Sequence, residues 1–220
     1  MNPFSDALKF LSADTGDFNA LGPAKYVLIA IFYALVAASL AMAIINWRSD
    51  PAQRTAQHAG TWVIRVLIGC MWFEGMLWKL PFSPDNGLHY WMEQMAGRAA
   101  FQIHRDLVAN VMLPWFVVLN PLVFLAEFAF ATSMILGLGV RLASAVAILF
   151  CANLWLGIYV QRDGDPAEWS WSYVFLIMLN LMFILHAAGR SLGADAILRR
   201  SGAADPRRDG VVAGLLRAAT

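Results

Sequence analysis

Charge is what this chain has least of. Only 14% of its 220 residues are Asp, Glu, Lys or Arg, whereas a soluble globular domain carries about 25%. Apolar residues make up 60%, and mean hydropathy is +0.58. A soluble domain of this length cannot hide that much apolar surface, because its surface is too large for its volume. Disorder is excluded as well, since it needs low hydrophobicity and high net charge. The net charge of +1 offers no basic field, so no nucleic-acid partner is expected.

Cysteine is scarce too. Cys70 and Cys151 each lie in a long apolar run, with no C-x-x-C, zinc or haem-attachment spacing. They read as small packing residues; a disulfide or redox pair would require their helices to touch at matching depth. No nucleotide loop, serine nucleophile elbow or H-E-x-x-H is present, and no metal site is expected. Haem b needs two histidines at similar depth on facing helices. Only His58 and His186 approach that, both at the cytoplasmic edge, so no haem is expected either. No internal repeat is evident.

What is abundant is long apolar sequence. A membrane span needs about 20 mostly apolar residues, and five stretches qualify: 26–45, 61–80, 114–138, 142–160 and 171–188. The expectation is an all-α integral membrane helical bundle of five spans. The first stretch is too long for a signal-peptide core and follows Asp6, Asp14 and Asp17 rather than a basic segment, so it reads as an uncleaved helix. Residues 1–25 form an N-terminal segment, in which 3–11 is amphipathic and suited to lying flat on the membrane.

Positive charge sets the orientation. Arg48, Arg54, Arg65, Arg141, Arg190, Arg199, Arg200, Arg207, Arg208 and Arg217 fall on one side. Lys9, Lys25, Lys79, Arg98, Arg105 and Arg162 fall on the other. The richer side goes inside, which places the N-terminus outside and the C-terminus in the cytoplasm of a bacterial-type inner membrane. The outer loop 81–113 is rich in Trp, Met and Phe. Leu88, Trp91, Met92 and Met95 have helical spacing, and Phe101, Leu107, Val108 and Val111 more loosely so. One or two interfacial helices are expected there, capping the outer face. Residues 163–168 form an acidic outer loop, the tight turn at 136–141 makes spans three and four antiparallel neighbours, and 201–220 is a cytoplasmic tail.

An intramembrane carboxylate costs about 2.5 kcal/mol or more at a helix centre. Glu74 and Glu127 each fall about six residues, or ~9 Å, below the outer end of their spans. Asn153 and Asn180 come out at comparable depth. Cys70, Met71, Glu74 and Trp78 share one face of span two, and Asn120, Phe124, Glu127 and Ala131 one face of span three. Phe150 and Gly157 accompany Asn153, and Tyr173 and Ile177 accompany Asn180. If these faces converge, they form a pocket with aromatic walls and a few polar groups, roofed by the loop carrying His89, Arg98, His104 and Arg105. Otherwise the polar groups simply bridge helices. Lys79 either snorkels outward, neutralises a carboxylate or attracts an anion. Trp47, Trp62, Trp115, Trp169 and Trp171 sit at expected helix ends as an aromatic belt. Trp72, Trp78 and Trp155 lie deeper, as packing residues or as walls for a planar ligand.

Span two carries Arg65, Gly69, Gly75 and Lys79; span three has Glu127 about ten residues before Gly137, Leu138, Gly139 and Arg141; and Gly189, Arg190, Leu192, Gly193 and Asp195 close span five. These landmarks, in this order over residues 60–200, resemble the DoxX/DoxD superfamily, nearest its DoxD branch, the small subunit of thiosulfate:quinone oxidoreductase. The resemblance implies a four-helix membrane domain at 60–200, to which the helix at 26–47 is an addition. It also implies a role in quinone-linked redox chemistry, often on sulfur compounds.

The leading expectation is a subunit that binds quinone near the outer leaflet and couples it to oxidation of a small anionic substrate such as thiosulfate. Glu127 and Glu74 would handle protons or orient the quinone carbonyls. Trp78, Trp155, Asn153, Asn180 and Tyr173 would hold the ring, and Lys79, Arg105 and His104 would attract the anion. The chain shows no redox centre of its own, so a partner protein subunit is expected, with membrane lipid around it and a homo-oligomer left open. The alternatives are a non-catalytic scaffold that holds a partner enzyme, or a small-solute or proton carrier; the lack of a visible inverted repeat disfavours the carrier.

Overall fold

The computed structural model describes residues 25–80, 87–160 and 171–202, with isolated positions towards both ends. The amphipathic 3–11 segment lies largely outside the described residues. Loop 163–168, Arg162 and Trp169 lie outside them, as does most of the 201–220 tail.

Among the described residues the protein is all-α. In chain order the helices are α1 (Lys25–Ser49), α2 (Ala56–Leu77), α3 (Gly87–Arg98), α4 (Gln102–Leu107), α5 (Phe116–Leu136), α6 (Val140–Gly157), α7 (Trp171–Leu185) and α8 (Ala194–Arg200). Four of them, α1, α2, α5 and α6, are long and apolar enough to cross a membrane. The protein is therefore built as a multi-pass membrane protein. Side chains such as Val117, Leu149 and Leu185 stay 84%, 71% and 68% exposed, as suits helices solvated by lipid rather than water. The fifth expected span corresponds to α7. Its 15 residues reach only ~22 Å, short of a hydrocarbon core about 30 Å thick.

Local sequence explains where helices start and stop. Thr55 caps α2, its hydroxyl accepting the His58 N–H at 3.2 Å. The α5–α6 turn needs two left-handed residues in close succession, Gly137 at φ 70° and Gly139 at φ 62°, which only glycine adopts cheaply. The freed N–H groups of Gly137 and Leu138 both donate to Ser133 O, at 2.8 and 3.1 Å.

α2 packs most extensively on α5, and α6 on α7. Gly69 permits the first contact: a Cβ there would stand 2.6 Å from Ile135 Cγ1 and 2.8 Å from the Ile135 nitrogen. This contact fixes the rotation of α2. Its buried side runs through Arg65, Gly69, Trp72, Phe73, Met76 and Leu77. Of the face expected from sequence, Cys70 is buried but Met71, Glu74 and Trp78 are only half-buried. On α5 the expected face is the buried one, with Asn120, Glu127 and Ala131 inside.

The core joins Phe32, Trp72, Phe73, Phe130, Met134 and Phe183. Phe32 of α1 is fully buried and lies 5.1 Å from the Phe73 ring centroid, so the additional first helix is part of the core. Cys70 and Cys151 are buried as free thiols.

The two ends of the bundle differ. At one end Arg65, on α2, is fully buried and donates to the Met134 and Ile135 carbonyls at the close of α5. Sequence counts Arg65 among the charges of the cytoplasmic side; its side chain lies inside the bundle. Asp195 accepts the Gly139 N–H at 2.7 Å and the Val140 N–H at 3.3 Å, capping α6 from 56 residues away. Burial pushes its carboxyl above the ordinary range, against those two N–H groups and the charges of Arg65 and Arg190. From α1, Ser39 Oγ donates to Ile135 O at 2.6 Å and Asn46 Nδ2 to Gly193 O at 3.0 Å.

At the other end α3 lies across the mouth of the bundle. Leu88, Met92 and Met95 are its buried residues, on the face read from their spacing. Of the second loosely spaced group only Val108 is buried; Phe101, Leu107 and Val111 are exposed. That segment continues α4 as a π-helical turn, Val108–Met112. Two backbone bonds clamp the roof to α6, Ala100 N to Leu156 O at 2.8 Å and Val160 N to Arg98 O at 2.9 Å.

Candidate functional site

Under that roof lies a partly open cavity of about 100 Å³. Trp78 and Lys79 come from the end of α2, and Val123 and Glu127 from α5. Phe150, Asn153, Leu154 and Ile158 come from α6 and its end, and Tyr173 from α7. The roof gives Leu88, Trp91, Met92, Met95 and Met112.

One polar contact organises it. Lys79 Nζ donates to both Glu127 oxygens, at 2.6 and 2.7 Å. The two residues are 48 apart in sequence and only 8% and 1% exposed. Lys79 ends up here because α2 stops at Leu77 and the chain tightens into a turn, with Lys79 N–H on Met76 O at 3.0 Å. The stem then points back over the bundle. The ammonium sits 4.4 Å from the Trp78 ring centroid, a cation–π contact that shields it further. Gly87 makes room for that indole, since a Cβ there would stand 3.0 Å from Trp78 Cε3. Gly157 does the same for the roof, its missing Cβ leaving space for the tip of Met95.

A buried ion pair rarely repays its desolvation fully, and apolar residues of similar volume often serve stability as well. Its position on a cavity wall is therefore informative. The cavity offers aromatic and thioether walls, a carboxylate, an ammonium, an amide at Asn153 and a phenol at Tyr173. Methionine walls adapt readily to different ligand shapes. That combination suits a largely apolar, planar molecule with polar atoms at its edge.

Of the ten candidate ligand residues, five meet on this cavity, Trp78, Lys79, Glu127, Asn153 and Tyr173, and Phe150, expected beside Asn153, joins them. The other five do not line it. Glu74 is half-buried on the flank of α2. Asn180 is fully buried, but its amide donates to Leu176 O of its own helix at 2.8 Å, and its Oδ1 has no hydrogen-bond partner among the described residues. Trp155 lies 6.4 Å from the Tyr159 ring. Arg105 Nε bonds Ala99 O at 2.7 Å, which spends it on the roof's own backbone. His104 is half-buried, and its Nε2 is likewise unpartnered among the described residues. Sequence reasoning assigned Trp91, Met92 and Met95 to a capping helix without placing them on the site. Their helical spacing was the available signal. Met112 and Val123 gave none.

No family model, curated protein or solved structure matches this chain.

Proposed function

We propose that this protein is a quinone-binding membrane subunit of an oxidoreductase, with the Lys79–Glu127 cavity as its ligand site. The observation that carries the reading is the buried ion pair set in an aromatic, methionine-rich wall. The residues suit the group. Trp78, Trp91 and Phe150 offer ring faces, while Lys79, Asn153 and Tyr173 place polar side chains on the wall. A quinone held there would supply two-electron, two-proton chemistry. The chain's own part is to bind and orient it, to exclude water beneath α3, and to hold a proton at Glu127 or Lys79.

In this reading α7 is a fifth span, accommodated by tilt of its neighbours or local bilayer thinning. The cavity faces the outer leaflet of a bacterial-type inner membrane, and the arginine-rich end faces the cytoplasm. The resemblance to the DoxX/DoxD superfamily supports the quinone and the partner subunit. Oxidation of an anionic sulfur compound such as thiosulfate falls to that partner, because the Lys79 ammonium is already paired with the Glu127 carboxylate. Photolabelling with an azido-quinone tests this. Label is expected on peptides from α2 and α3 and should be lost in the Lys79→Met, Glu127→Leu double variant. Equal labelling of that variant would sink the proposal.

One observation favours the scaffold reading. Of the residues that carry the resemblance, Lys79 and Glu127 lie on the cavity, but Arg65, Gly137, Gly139, Gly193 and Asp195 build the end of the bundle away from it. Those five speak for architecture rather than chemistry. A complex that keeps its activity with the double variant would favour the scaffold.

A further inference from the structure

We propose that a second groove, between α1 and α2 at the Arg65 end, is a binding site for an anionic phospholipid. Its acyl chain would lie along α1 and its phosphate would meet Arg48. The groove is open to its surroundings, has a volume of about 450 Å³ and is separate from the Lys79–Glu127 cavity.

The trough is apolar and the mouth is cationic. Leu40 and Ile44, one helical turn apart, present exposed side chains along the trough. Ala59, facing them from α2, is small enough to leave the space open. Trp47 stands beside Arg48 at the mouth, where indoles sit at headgroup level in membrane proteins, and Trp62 lines the groove from α2. Trp62 is held in place by its Nε1–H, which donates to Ser39 Oγ at 3.2 Å. The mouth carries Arg48, which has no carboxylate partner among the described residues. Arg54 adds a second guanidinium there, donating to Trp47 O at 2.7 Å and Arg48 O at 3.1 Å. The neighbouring carboxylate, Asp50, accepts the Ala52 N–H at 3.1 Å and faces Arg200 at 3.6 Å. The unmatched positive charge beside an apolar trough is complementary to a lipid phosphate with its chain.

Leu192 supplies an independent sign. It lines the groove while held at φ 53°, a left-handed conformation that L side chains rarely adopt. Its N–H donates to Gln53 Oε1 at 2.7 Å, which fixes the strained backbone. A glycine would fit that backbone without cost but would leave the groove without its leucine wall. Strain that persists at a cavity wall is a common mark of a binding site.

The test uses the full chain, delipidated in detergent, with phosphatidylglycerol, phosphatidylcholine or inorganic phosphate added. Native mass spectrometry should show phosphatidylglycerol bound roughly fivefold tighter than phosphatidylcholine, the preference one arginine supplies near a membrane surface. Arg48→Gln should bring that ratio close to one, and inorganic phosphate should compete poorly. A photoactivatable phosphatidylglycerol should label the α1 segment containing Leu40 and Ile44. Equal binding of the two lipids, an unchanged ratio in Arg48→Gln, or labelling confined to other helices would each overturn the proposal. So would phosphate competing as well as the lipid does.

Discussion

The two ends of this bundle treat buried charge in opposite ways. At the Arg65 end, charge is spent on backbone. Arg65 meets the last carbonyls of α5, Asp195 meets the first N–H groups of α6, and glycines let them approach. At the Lys79 end, charge is spent on charge. Lys79 and Glu127 pair with one another on the wall of a cavity. The first arrangement locks helices together. The second leaves a polar spot in an apolar recess, which a ligand can use.

Substitutions can break or sharpen that contrast. The largest effect is expected at the Arg65 end. Asp195→Ala strips the cap from α6 and removes the negative charge nearest Arg65. It should cost about 3–5 kcal/mol in detergent unfolding experiments, with ligand binding lost only because the fold is lost. Glu127→Gln should cost less, about 2–3 kcal/mol, because water entering the cavity can partly solvate the Lys79 left behind. The sharper comparison is the double change Lys79→Met with Glu127→Leu. It should restore unfolding stability to near the wild-type value while abolishing quinone labelling. A double variant as unstable as Glu127→Gln alone would mean that the pair is structural and the two ends are alike.

Smaller effects probe the roof and the ring wall. Gly157→Ala places a methyl 2.9 Å from Met95 Cε. The tip of that side chain can swing away, so the cost should be about 1 kcal/mol. Weaker quinone binding measured by tryptophan quenching should accompany it, because the roof has shifted. Trp78→Phe keeps a ring but weakens the cation–π contact, and should lower stability by about 0.5 kcal/mol. A much larger loss would show that the indole, rather than Glu127, dominates the stabilisation of Lys79.

Much of the fold was legible in sequence because helix periodicity and span length are local properties. The apolar runs mark α1, α2, α5 and α6, the 88/92/95 spacing marks the buried side of α3, and Gly137 with Gly139 marks the tight turn. The candidate site was legible only in outline. Glu127 stands out as a carboxylate in an apolar run, and Lys79 as a charge at the run's end. Glu74 has the same local signature as Glu127 yet lies on the flank of α2, because the Gly69–Ile135 contact rotates that helix. Asn180 matches Asn153 in depth but bonds to its own helix.

The sequence by itself determined that this is an all-helical chain for an apolar environment, where its helices run, and which few side chains carry charge within them. Composition and period suffice for that, since each residue's preference for lipid or water acts on its own helix. Only the tertiary structure decided which of those charges meet. Lys79 reaches Glu127 across 48 residues and Asp195 reaches Gly139 across 56. A periodic pattern names the face a helix buries, but the helix that covers it is chosen by packing, where one missing Cβ at Gly69 sets the rotation and so the neighbours of every polar group along α2.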